Sequence, residues 1–134
     1  KDLNGQSLNL KDISYAEAFA IFYINTECGI CHDQIKEIKQ IITNENLPQI
    51  VLVSGEEPEV LKNYKENDTI FNHPKIQLIH DYAEHFVIEY DIRSTPHILI
   101  YDKTGNLIIN QKGFLRADKL LEVLGGDGSG LEVE

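Results

Sequence analysis

At 134 residues, with 42% hydrophobic and 25% charged side chains, the chain suits one globular domain that buries a core without disulfide staples. A formal net charge of −10 argues against nucleic acid or an anionic membrane as partner, because both require a basic footprint; it is read as a solvated acidic surface. No apolar run approaches the roughly 18–20 residues of a membrane-spanning helix.

The chain opens at Lys1 with no visible signal peptide, so a trimmed mature form, with an N-terminal signal or anchor removed, is expected. Leu3 to Leu10 reads as a short hairpin turning at Asn4-Gly5, and Lys11 to Glu17 as a connection. Ala18 to Asn25 is apolar at nearly every position, as in a central strand covered on both faces. A helix follows from about Cys28 to Asn44, with Cys31, Ile35, Ile38 and Ile42 on one stripe, and Pro48 lies beyond its end.

Gln49 to Ser54 is a second buried strand. Glu57-Pro58-Glu59 opens a helix, since proline is tolerated in the first turn and acidic residues suit the dipole there; Val60, Leu61 and Tyr64 form its apolar stripe. Asn67 to Pro74 is polar and reads as irregular, and Ile76 to His80 as a short strand. Asp81 can cap a helix carrying Tyr82, Phe86, Val87 and Tyr90. After the Arg93–Pro96 loop come a strand His97–Tyr101, a turn Asp102–Asn106 and a strand Leu107–Gln111. A helix from Arg116 closes the domain, with Leu120, Leu121 and Leu124 on one face. Residues 1–124 are expected to form one domain, and the glycine-rich 125–134 a linker or tag remnant.

Both cysteines lie in Thr26-Glu27-Cys28-Gly29-Ile30-Cys31-His32, between the first strong strand and the helix after it. A helix N-terminus offers unpaired N–H groups and the positive end of the dipole, which favour a thiolate over a thiol. A C-x-x-C at such a junction, in a chain with a βαβ pattern, points to redox chemistry. Glu27 and His32 flank the pair as neighbours able to modulate its thiol pKa values; an anion beside Cys28 opposes thiolate formation.

Strands alternating with helices imply an α/β fold, a central mixed β-sheet flanked by helices on both faces. With Cys28-Gly29-Ile30-Cys31 after an apolar strand, Thr95-Pro96 before the strand His97–Tyr101, and the Asp102–Asn106 turn, the chain resembles the thioredoxin superfamily of thiol–disulfide oxidoreductases. Its N-terminal hairpin is similar to the extra strands of the TlpA-like extracytoplasmic branch. The resemblance implies Cys28 as attacking thiolate, Cys31 as buried resolving thiol, and a redox-active disulfide between them. It further implies a cis peptide at Thr95-Pro96 that holds an extended substrate segment. Protein disulfide or dithiol substrates, a partner redox protein, no cofactor, no metal, a monomer and an extracytoplasmic, periplasm-like location follow as expectations.

The chain departs from the family pattern in places. It has no Trp, and Glu27 stands where the family often has one. Phe22 and Gln34 replace carboxylates found six residues before the first cysteine and three after the second. His32 and Glu37 are then the nearest candidates in sequence for a proton acceptor at Cys31.

Other readings of the same residues exist. Cys28-Gly29-Ile30-Cys31-His32 also fits c-type haem attachment, with His32 axial and His73, His80, His85 or His97 as second ligand, since the chain has no methionine. Small c-type cytochromes are mostly helical, against four or more strands here. Zinc lacks a recognisable second half-site, and Asn25 stands where a peroxidase pattern has threonine. A purely structural disulfide closing two residues would remove little chain entropy. A thioredoxin-fold binding or redox-sensor module without turnover is the alternative from a different class.

Overall fold

The structure, a computed structural model, describes residues 18–43 and 47–124. The hairpin expected at 3–10 and the tail at 125–134 lie outside the described residues. Five strands, β1 (Phe19–Tyr23), β2 (Gln49–Ser54), β3 (Ile76–His80), β4 (His97–Tyr101) and β5 (Leu107–Lys112), form one mixed sheet in the order β3-β2-β1-β4-β5. β2 runs parallel to β1 and β3, and β4 antiparallel to β1 and β5.

β1 is the axis of the sheet, and its unbroken apolar sequence follows from that position. All five of its residues are buried, and successive side chains enter opposite cores. Ala20 and Phe22 face the larger core, built with α1 (Gly29–Lys39), α2 (Pro58–Glu66) and α4 (Ala117–Leu124). Phe19, Ile21 and Tyr23 face the smaller one, closed by Phe86, Val87 and Tyr90 of α3 (His85–Tyr90). Helices therefore cover both faces, and β1 delivers its C-terminal end, with the cysteine turn after it, to the middle of one sheet edge.

Several segments differ from the sequence expectation for local reasons. Within 67–74 a 3-10 turn, Thr69–Asn72, buries Ile70 and Phe71 against the larger core, with the Asp68 carboxylate accepting the Ile70 amide. Polar neighbours masked that apolar pair. The helix after β3 begins only at His85, because Ala83 and Glu84 have positive φ and separate it from a 3-10 turn at Tyr82–Glu84. Asp81 nevertheless caps it from a distance, accepting the Phe86 and Val87 amides at 2.7 and 3.2 Å. α1 ends at Lys39, short of the expected Asn44. Val60 and Leu121, assigned to apolar stripes, are 44% and 40% exposed, while Leu61 and Leu120 beside them are wholly buried.

The β4–β5 turn forms as its residues imply. One Asp102 carboxylate oxygen accepts the Thr104 amide and hydroxyl and the Asn106 amide, and Gly105 takes the positive φ the turn requires.

Candidate active site

The C-terminal ends of β1 and β2, the start of α1 and the Thr95–Pro96 loop converge on the two cysteines. Asn25 shapes the turn: its carbonyl accepts the Cys28 amide at 3.1 Å and its side chain the Glu27 amide at 2.8 Å. Cys28 is the N-cap of α1, with extended backbone angles, and its sulfur accepts the Cys31 amide at 3.1 Å. A sulfur thus fills the role usually held by a serine or aspartate oxygen. From the facing loop, the Thr95 carbonyl accepts from the Cys28 thiol at 3.8 Å, and the Thr95–Pro96 peptide is cis.

The two sulfurs experience different surroundings. Cys28 is half-buried, and burial alone would raise its pKa. Hydrogen bonds from the Cys31 and Thr95 side chains and from the Cys31 and Ile30 amides outweigh that and hold it below its usual value. Cys31 is wholly buried, and desolvation, helped by the adjoining Cys28, pushes its thiol up to about 11. Both cysteines are free thiols in this structure.

Of the residues picked out in the sequence, Cys28, Cys31, Thr95 and Pro96 meet in one place. The Glu27 side chain is exposed, and Glu27 is not among the groups that act on Cys28. His32 is exposed; its Nε2 bonds to the Thr26 carbonyl, which can only accept and so fixes the proton on Nε2. Its ring also stacks on Tyr64. Glu37 accepts the Ala117 amide at 2.7 Å, at the start of α4. His97 is buried, with Nε2 against Asn110 Oδ1 at 2.6 Å. Among the described residues no group of three or more His, Cys, Asp or Glu side chains is placed to hold a metal ion.

Sequence reading passed over Glu56. Its carboxylate accepts the Thr26 amide at 2.8 Å, the Thr26 hydroxyl at 2.7 Å and the Ser54 hydroxyl at 2.9 Å, tying the cysteine turn to the end of β2. The available signal was positional: Ser54-Gly55-Glu56 follows a buried strand parallel to β1, at the end of the sheet where α/β sites gather. Glu56→Ala leaves these donors without their acceptor and is expected to cost about 1–3 kcal/mol. A lower denaturant midpoint with an unchanged m-value is the result to look for.

A family profile described as a thioredoxin-like domain matches residues 14–125. The chain belongs to the thioredoxin-like family. No curated protein matches the sequence. Among solved structures, the pneumococcal exposed lipoprotein thioredoxin Etrx1 of Streptococcus pneumoniae is 18% identical, with 92% of this chain and 94% of that one covered and a TM-score of 0.73. A secreted Mycobacterium tuberculosis disulfide oxidoreductase, described as homologous to E. coli DsbE, is 11% identical, with 99% and 92% covered and a TM-score of 0.70. A thiol:disulfide interchange protein of Chlorobium tepidum is 14% identical, with 92% and 88% covered and a TM-score of 0.73. At these identities the likeness is one of fold. The family together with the dithiol at the start of α1 makes this thioredoxin-like protein a redox enzyme of the thiol–disulfide oxidoreductase type. No helix among the described residues is long and apolar enough to cross a membrane.

Proposed function

We propose that the protein exchanges electrons with protein substrates through the Cys28/Cys31 couple, working in the reducing direction. The observation that carries the exchange chemistry, in whichever direction it runs, is the inequality of the two sulfurs, one half-exposed and shifted toward thiolate, the other dry and held as thiol. Cys28 thiolate attacks a substrate disulfide, forms a mixed disulfide and expels the first substrate thiolate. Cys31 then attacks the Cys28 sulfur, closes the Cys28–Cys31 disulfide and releases the second. Two electrons pass to the substrate; one product thiol takes the proton that Cys31 gives up, and the other takes one from water, which already holds the Cys28 proton. Thr95 and Pro96 face Cys28 and orient an extended substrate segment, a form of strand addition. A partner redox protein returns the electrons, and no cofactor is needed.

An extracytoplasmic setting, as in the TlpA-like branch, is supported by the fold likeness to proteins described as an exposed lipoprotein and a secreted oxidoreductase. The reduction potential against glutathione tests the direction. A value near about −270 mV supports a reductase, whereas one between about −180 and −120 mV overturns it in favour of an isomerase or oxidase.

The same inequality gives a pH signature. Thiolate absorbance of the reduced protein is expected to rise in two steps, one below the usual thiol range and one near 11. Cys28, lowered by folding, adds stability above its unfolded pKa, and that stability is lost as pH falls through the folded value. Cys31, raised by folding, contributes the opposite: its stability is present below the unfolded pKa of roughly 8.5 and is lost as pH rises toward the folded value. Melting temperature of the reduced protein should therefore pass through a maximum near the ordinary thiol pKa. A monotonic profile across that window would count against the sulfur assignment.

A further inference from the structure

Gln34 lies one turn beyond Cys31 on α1 and is wholly buried. Its amide is used on both sides. Nε2 donates to the Leu115 carbonyl at 2.8 Å, and the Leu115 amide donates to Oε1 at 2.7 Å. Two residues before Leu115, the Gly113 amide donates to the Pro96 carbonyl at 2.8 Å, with Gly113 at φ +97. Segment 113–115, which leaves β5 for α4, is thus fastened to α1 at one end and to Pro96 at the other. Cys28 and Thr95, in contact with each other, belong to the two parts joined by this strap.

We propose that Gln34 is a positioning residue: through Leu115 and Gly113 it sets the separation between Cys28 and the Thr95–Pro96 loop, and so how a substrate strand can lie along that loop to reach the sulfur. The proposal rests on the exchange reading above. The chemistry of the site explains why an amide is needed. Leu115 presents one donor and one acceptor in a dry environment, and an amide matches both. A carboxylate offers only acceptors and would face the Leu115 carbonyl with negative charge; a methionine of similar length would leave both backbone groups unpaired. A protonated carboxyl, by contrast, has one O–H and one C=O and restores the pair.

Gln34→Glu is therefore a version of the strap that pH switches. Burial and the facing carbonyl raise the carboxyl pKa above its ordinary ~4.3, so the strap holds at acid pH and releases as pH rises through the raised value. The experiment compares wild type, Gln34→Glu and Gln34→Met, from pH 5 to pH 8. It uses an extended peptide disulfide, long enough to lie along the Thr95–Pro96 loop, and hydroxyethyl disulfide, which needs only the sulfur. For Gln34→Glu the peptide kcat/KM, relative to wild type at the same pH, is expected to fall by about tenfold from pH 5 to pH 8, chiefly through KM. The small disulfide should show little change, and Gln34→Met should be impaired on the peptide throughout.

Gln34→Glu at acid pH keeps both bonds and supplies the folded reference for the series. Hydrogen exchange gives a second readout: on raising pH, the Gly113 amide should lose protection together with Leu115 in Gln34→Glu but not in wild type. If both variants merely melt earlier, with the peptide-to-small-disulfide ratio and Gly113 protection as in wild type, Gln34 is ordinary scaffold and the proposal is overturned. A wild-type protein inactive on both disulfides would overturn the exchange reading itself, and this inference with it.

Discussion

Cys28→Ser is expected to bring disulfide exchange down to the uncatalysed background, a loss on the order of a thousandfold or more. A serine hydroxyl can still accept the Cys31 amide as N-cap, so the fold and the start of α1 should survive. What disappears is the nucleophile. Cys31→Ser should behave differently: the half-exposed Cys28 remains able to attack, but nothing three residues along can resolve the product. A stable covalent adduct with a peptide disulfide, seen by mass spectrometry and released by added dithiol, is the expected result. Wild-type turnover in Cys28→Ser would sink the mechanism. Turnover in Cys31→Ser with no adduct would reassign the resolving step to an external thiol.

Phe22→Asp should abolish folding at neutral pH. Phe22 is wholly buried in the larger core with Cys31, opposite Leu52 on β2 and Ile98 on β4. Removing a buried Phe side chain costs about 3–5 kcal/mol, and an unpaired carboxylate in its place adds several more. Together these rival the ~5–15 kcal/mol that holds a typical domain together. Phe22→Leu, which keeps the site apolar, should fold and unfold cooperatively with a modest loss. Circular dichroism and denaturant titration of the pair decide the matter; a cooperative transition in Phe22→Asp would mean that an unseen partner or water serves that site. The position matters because a carboxylate there is part of the resembled pattern, and this chain has built its core on the assumption of none.

The elements legible in the sequence were those whose pattern is set by one strong force. β1, β2 and β4 show continuous apolar residues because both faces are covered, and Asp102 to Asn106 shows turn chemistry because the backbone demands it. The cysteine pair and the cis Thr95-Pro96 bond were legible as motifs, since a dithiol needs two cysteines and a cis peptide is nearly always one before proline. What escaped was structure set by distant polar contacts. Glu56 reads as one more acid before a helix until Thr26, 30 residues earlier, is seen to donate to it twice. Gln34 reads only as a lost carboxylate until Leu115, 81 residues later, closes on both ends of its amide. Ile70 and Phe71 were hidden because two apolar residues in a polar run have no period. Periodicity reports which face is dry; it carries no record of which side chain answers which backbone group across the chain.

The placement of Cys31 also bears on what peroxide would do to the site. With two cysteines and no methionine, the chain concentrates its sulfur chemistry at one spot. Only Cys28 is both partly accessible and shifted toward thiolate, so it is the sulfur that an oxidant reaches first. A sulfenic acid formed there would have Cys31 as its neighbour in the same helical turn, and condensation with that thiol would yield a disulfide and water before a second oxidant arrives. The buried thiol would thus stand between Cys28 and sulfinic or sulfonic damage. An insult that would be irreversible at a lone cysteine is turned into an oxidation state that an ordinary dithiol can reset.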